Sequence, residues 1–105
     1  METIEDLQAA LMQLLNSIGK YKVEEKKHSL HIVRDRAFLG VHPKKSYLGI
    51  NVVLNRINAS PTADKVERVS ANRYHHFYKI TEKRQLNKSF AKLLSEAYNL
   101  AEPKK

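Results

Sequence analysis

The period of the apolar positions changes twice along the chain. Between residues 3 and 19, Ile4, Leu7, Leu11, Leu14, Leu15 and Ile18 recur at spacings of three and four, the pattern of one buried helical face. Thr3 is placed to accept from the backbone N–H of Asp6 as an N-cap, and Glu5 and Asp6 favour the positive end of the helix dipole. Gly19 suits the left-handed position after the last turn. From Lys20 to Ile80 the period falls to two. In "SYLGINVVLN", Leu48, Ile50, Val52 and Leu54 make one apolar face and leave Tyr47, Gly49, Asn51, Val53 and Asn55 on the other, which predicts a strand. "AFLGV" alternates Ala37, Leu39 and Val41 against Phe38 and Gly40, and "HPKKS" supplies the Pro and polar residues of a hairpin connection. "YKVEEKKHSLHIV" holds one or two further strands marked by Tyr21, Val23, Leu30 and Ile32, with "EEKKH" either a polar edge strand or a turn.

"NRINASPTADK" reads as a loop, "VERVS" as a short strand, and "NRYHHFYKI" as the last strand. Thr81 is then expected to cap a second helix, in which Leu86, Phe90, Leu93, Leu94, Ala97, Tyr98 and Ala101 restore the helical period before Pro103 and two lysines. Helix, strands, helix predicts an α+β fold: an antiparallel sheet of four to six strands with an N-terminal and a C-terminal helix packed on one face. A chain of 105 residues is the size of a single domain, residues 1–105, with no internal repeat.

Alternation divides the last strand into Tyr74, His76, Tyr78 and Ile80 on one face and Arg73, His75, Phe77 and Lys79 on the other. Tyr78 and Ile80 suit the core with Tyr74 at its rim, because the opposite choice would drag the Lys79 ammonium inward, which costs more than exposing Phe77. Charge sharpens this picture. Residues 1–19 carry three acids and no base, whereas residues 20–92 carry 17 bases against 6 acids, or +11 of the chain's net +8. A field of that sign gathers polyanions. No apolar run reaches the roughly 20 residues that span a bilayer, and the acidic N-terminal stretch lacks the basic start of a secretory signal. The expected address is cytoplasmic, with no membrane contact.

Enzymatic signals are sparse. Zero Cys removes thiolate nucleophiles and Cys-ligated metals. Of the five His, the adjacent His75 and His76 point to opposite faces of a strand and do not chelate one ion, and no "HExxH" or flanking carboxylate pair is present. The Ser and Thr residues fall mostly at caps and turns, and the three Gly form no phosphate cradle. No catalytic residue, metal site or cofactor is expected. The basic and aromatic residues carry more. Arg36 precedes the hairpin, His42, Lys44 and Lys45 lie at its turn, and Phe38, Tyr47 and Asn51 share its mixed face. If the last strand lies beside the hairpin, Arg73, Tyr74 and His75 join them in a surface able to hold phosphates and stack bases. The candidate binding residues are therefore Arg36, His42, Lys44, Lys45, Tyr47, Arg73, Tyr74 and His75.

"AFLGVHPKKSYLGINVVL", "VERVSANRYHHFYKI" and "NKSFAKLLSEAY" together resemble a prokaryotic family of small domains of unknown function, some members of which are labelled predicted transport proteins. The resemblance covers roughly residues 20–100 and matches at His42, Pro43, Lys44, Lys45, Ser70, Asn72, Arg73, Tyr74 and His75. It implies an α+β domain that also occurs fused to others, and no established activity. The expected function is a non-enzymatic binding module whose basic, aromatic sheet surface engages an anionic partner, nucleic acid first. The alternatives are a regulatory domain that binds a small anionic ligand or docks a protein, and a hydrolase using His42, His75 or His76 with Arg73.

Overall fold

A computed structural model describes residues 3–57 and 63–101. The first helix, α1 (Ile4–Asn16), starts where the sequence predicts. Thr3 Oγ1 accepts from Asp6 N at 3.0 Å while Asp6 Oδ2 accepts from Thr3 N at 3.2 Å, a reciprocal cap that satisfies two backbone donors. Leu7, Leu11 and Leu15 form its buried face. The other end differs from the expectation. Ser17, in right-handed conformation, closes the helix, and Gly19 is required by space instead: a Cβ there would lie 2.5 Å from Tyr98 Oη and 2.7 Å from its ring.

Six antiparallel strands follow: β1 (Lys22–Glu25), β2 (Leu30–Val33), β3 (Ala37–Pro43), β4 (Leu48–Leu54), β5 (Lys65–Ser70) and β6 (Arg73–Ile80). Their spatial order is β1-β2-β3-β4-β6-β5, so the last strand enters between β4 and β5. Both edge strands are polar, "KVEE" and "KVERVS", and exposed nearly throughout, the usual protection of an unpaired sheet edge. The "EEKKH" tract thus supplies both an edge strand and a turn. Part of the loop predicted between β4 and β5 (residues 58–62) and the terminal Pro103 with its lysines lie outside the described residues.

One register irregularity redirects a large side chain. Ile32 pairs with Leu39 but Val33 pairs with Ala37, so Phe38 is an extra residue on β3. The bulge breaks the simple alternation that put Phe38 on the mixed face. It is 1% exposed and packs edge-on against Tyr98 at 5.5 Å.

Thr81 does not cap the second helix. Its backbone N–H and hydroxyl both reach Gln85 Oε1, at 2.7 and 3.1 Å, ahead of a short 3-10 turn (Lys83–Gln85). The helix proper, α2 (Lys88–Leu100), is capped by Asn87, whose Oδ1 accepts from Phe90 N at 3.1 Å. Phe90, Leu93, Leu94 and Ala97 enter one core cluster with Leu7, Leu11 and Leu15 of α1 and with Leu48, Ile50, Val52 and Leu54 of β4. Both helices therefore cover the same face of the sheet, as the pattern predicts. The last carbonyls of α2 are held by the loop before β3: Arg34 Nη1 donates to Tyr98 O at 3.2 Å, Asp35 N to Ala101 O at 3.3 Å, and Arg36 Nη2 to Leu100 O.

Candidate functional site

The face opposite the helices has its composition set by the pairing registers. Pairing of β3, β4, β6 and β5 puts His42, Gly49 and Lys79 in one row, Gly40, Asn51, Phe77 and Lys65 in the next, and Val53, His75 and Glu67 in a third. His31 on β2 extends the second row beyond Gly40. The turn between β3 and β4, closed by Lys44 N donating to Tyr47 O at 2.9 Å, adds Lys44 and Tyr47 beside the first row.

A cavity of about 480 Å³ opens at this end of the face. His42, Lys44 and Tyr47 line one side, and Lys65, Phe77 and Lys79 the other. Each ring has an ammonium near it: Lys79 Nζ lies 5.3 Å from the Tyr47 centroid and Lys65 Nζ 5.9 Å from that of Phe77. Two carboxylates are also present but are engaged. Asp64 Oδ2 accepts from Lys79 N at 2.8 Å, fixing the chain before β5, and Glu67 pairs with Lys65 at 2.7 Å. Lys44 and Lys79 have no ion-pair partner among the described residues.

In the middle of the face, Asn51 Nδ2 lies 3.1 Å from His75 Nδ1. Their remaining polar atoms, Asn51 Oδ1 and His75 Nε2, are buried and have no hydrogen-bond partner among the described residues. The His75 and Phe77 rings lie 6.4 Å apart. Burial holds the His75 imidazole below its usual pKa, and the Arg73 charge acts in the same direction. Burial does the same at His42, helped by Lys44 and His31. Both rings therefore favour the neutral form.

The expected site residues divide into groups. His42, Lys44 and Tyr47 meet at the cavity, whereas Lys45 is exposed in the same turn and does not line it. His75 lies mid-face. Tyr74 pairs with Leu54 on the helix-covered side, half-buried. Arg73 and Arg36 sit at the far end of the strands, where both line another cavity of about 440 Å³ beside the end of α2. Because β6 runs antiparallel to β4, Arg73 lies near Leu54 while Lys79 lies near Leu48 and the "HPKK" turn. Six residues separate them, about 20 Å along an extended strand. Asn51, Phe77 and Lys79, which the sequence places on this face but not among the candidate binding residues, also belong to it, as does Lys65, which the sequence does not single out. Phe77 and Lys79 were findable, since they share the alternation of Arg73 and His75; Lys65 needed the β5–β6 register.

His75 and His76 do project to opposite faces, His76 being fully buried on the core side. Among the described residues no group of three or more His, Asp or Glu is close enough to hold a metal ion, and no helix is long and apolar enough to cross a membrane. In comparisons with known proteins, a family model described as a domain of unknown function, DUF5655, matches residues 2–101. No curated protein and no solved structure matches the chain.

Proposed function

This chain belongs to the DUF5655 family of domains of unknown function, and from that premise we propose that it is a non-enzymatic binding module along whose β6 strand a single-stranded nucleic acid lies. The observation that carries the reading is the helix-free side of β6, which runs cation, ring, ring, cation: Arg73, His75, Phe77, Lys79. Alternate residues of a strand are about 6.8 Å apart, so the four side chains form a linear track with a charge at each end. Single-strand binders combine such charges with rings on which bases stack. Lys44, Tyr47 and Lys65 widen the track at the Lys79 end.

Lys44, Arg73 and Lys79 have no ion-pair partner among the described residues. If each neutralises one phosphate, log affinity falls against log salt with a slope of about −2, a loss of roughly 20-fold between 50 and 200 mM salt. Fluorescence anisotropy with labelled 12-mer oligonucleotides measures this. Lys79→Ala and Arg73→Ala are each expected to flatten the slope by about 0.7, whereas Phe77→Ala lowers affinity by about 1–3 kcal/mol at an unchanged slope. Absence of binding to single-stranded DNA or RNA at low salt defeats the reading.

A second reading is favoured by the cavity itself. At about 480 Å³ it falls within the range of small-molecule sites, and its lysines suit an anionic metabolite. A thermal-shift screen separates the two: a metabolite that raises the melting temperature with concentration, in a protein that ignores oligonucleotides, selects the small-ligand regulatory domain.

A further inference from the structure

The cavity of about 440 Å³ at the Arg73 end of the sheet belongs to neither reading above. It forms where the start of β3, the end of β4, the turn between β5 and β6 and the last turn of α2 meet. Phe38 and Leu54 supply buried apolar lining. Ala37, Ala97 and Ala101 stand at the same junction, and side chains that small leave space that the elements do not fill. The exposed lining is polar and cationic, with Arg36, Asn55, Asn72 and Arg73, and among the described residues no Asp or Glu joins it. The last carbonyls of α2, the helix end that opposes an anion, are already taken by Arg34 Nη1, Asp35 N and Arg36 Nη2. Arg36 uses only that one nitrogen, and the side chains of Asn55, Asn72 and Arg73 have no hydrogen-bond or ion-pair partner among the described residues.

We propose that this cavity is a separate binding site for a small organic carboxylate, its apolar chain against Phe38, Leu54 and the alanines and its charged group at Arg73, with Arg36 and Asn72 beside it. A guanidinium presents paired N–H donors that match the two oxygens of a carboxylate. The two kinds of lining call for a ligand with two kinds of surface. A bare inorganic anion would use the arginines and gain nothing from the apolar wall, and a neutral apolar molecule would fill the wall and leave the arginines unused. The volume falls in the range of small-molecule sites, and each methylene taken out of water there tightens binding by up to roughly four-fold. The site stands apart from the cavity at Lys44 and Lys79, at the other end of the strands. Arg73 is shared with the proposed track, so the site is tested without nucleic acid.

Backbone ¹H–¹⁵N spectra of the full chain, titrated with sodium hexanoate at constant ionic strength, map where the ligand sits. A saturable shift is expected at the amides of Asn72, Arg73 and Leu100, with a millimolar dissociation constant for a ligand of this size, while the amides of Lys44 and Tyr47 stay put. Acetate, hexanol and inorganic phosphate are the comparison probes. Each should bind at least about ten-fold more weakly than hexanoate, since each lacks either the chain or the charge. Arg73→Gln, at an exposed position, should weaken hexanoate by about five-fold at an unchanged melting temperature. Ala37→Leu, which adds bulk to the apolar wall, should weaken hexanoate and leave acetate as it was. Several results overturn the proposal: no saturable shift at tens of millimolar hexanoate, hexanol or phosphate binding as tightly as hexanoate, Arg73→Gln binding like the wild type, or shifts that gather at Lys44 and Lys79 instead. None of these bears on the single-strand reading, which the oligonucleotide titrations decide by themselves.

Discussion

At the scale of the residue, Gly19 leaves space for a ring. Tyr98 is fixed on three sides: edge-on against Phe38, under the Arg34 guanidinium at 4.1 Å, and through its hydroxyl donating to Lys20 O at 2.8 Å. It cannot retreat from a Cβ that would lie 2.5 Å away. Gly19→Ala is expected to destabilise the protein by about 1–3 kcal/mol, read as a lower urea midpoint; an unchanged midpoint would show that the ring has room to move. Histidines supply the second residue-scale prediction. Burial is the first cause lowering the pKa of His42, His75 and His76, while the unfolded chain titrates near 6.5. The unfolded state then binds more protons in that window. The contribution to stability is complete above about pH 6.5 and is lost as the pH falls through the lowered folded values. Urea titrations at pH 7.5, 6 and 5 should show falling midpoints, and equal midpoints would contradict the assignment.

At the scale of the element, the bulge in β3 does more than interrupt a ladder. It turns Phe38 toward α2, where it meets Tyr98, while Leu39 and Val41 keep the ordinary core side. Phe38→Ala should therefore cost about 3–5 kcal/mol, the range of a buried aromatic, where simple alternation predicts a mild surface change. Chemical denaturation decides between them. The same contrast separates what was legible in these elements from what was not. The core sides of β4 and β6 could be read from period two because their pairing is regular. Phe38 could not, because a one-residue bulge leaves no mark in the apolar pattern. The start of α2 was displaced for a related reason: Thr81 and Asn87 are both good caps, and only the 3-10 turn between them decides which one serves.

At the scale of the whole molecule, charge and topology act together. The +11 of residues 20–92 belongs mostly to the sheet and its connections, while α1 opens with the acidic Glu5 and Asp6. The proposed single-strand binding implies that this field steers oligonucleotide association. Lys44→Glu with Lys79→Glu is expected to slow association by about ten-fold or more at low salt, with the difference closing as salt rises. Stopped-flow traces equally fast for both proteins at low salt would remove any role for that end of the face. The order β4-β6-β5 also decides which cations meet: it brings Lys79 to the "HPKK" turn and carries Arg73 to the opposite end with Arg36.

By itself the sequence determined both helices, the polarity of each regular strand face, the shared side of the two helices and the concentration of positive charge. These follow from local periods, since burial of an apolar face depends on which residues recur at 3.6 or 2 along the chain. Only the tertiary structure decided strand order, the bulge at Phe38, the partner of Gly19, and the pairing of Asn51 with His75 across β4 and β6. Those are contacts between residues distant in sequence, set by the direction and register in which strands pair. In "NRYHHFYKI" alternation sorts the side chains into two faces, but pairing with β4 and β5 decides which residues stand beside them on each.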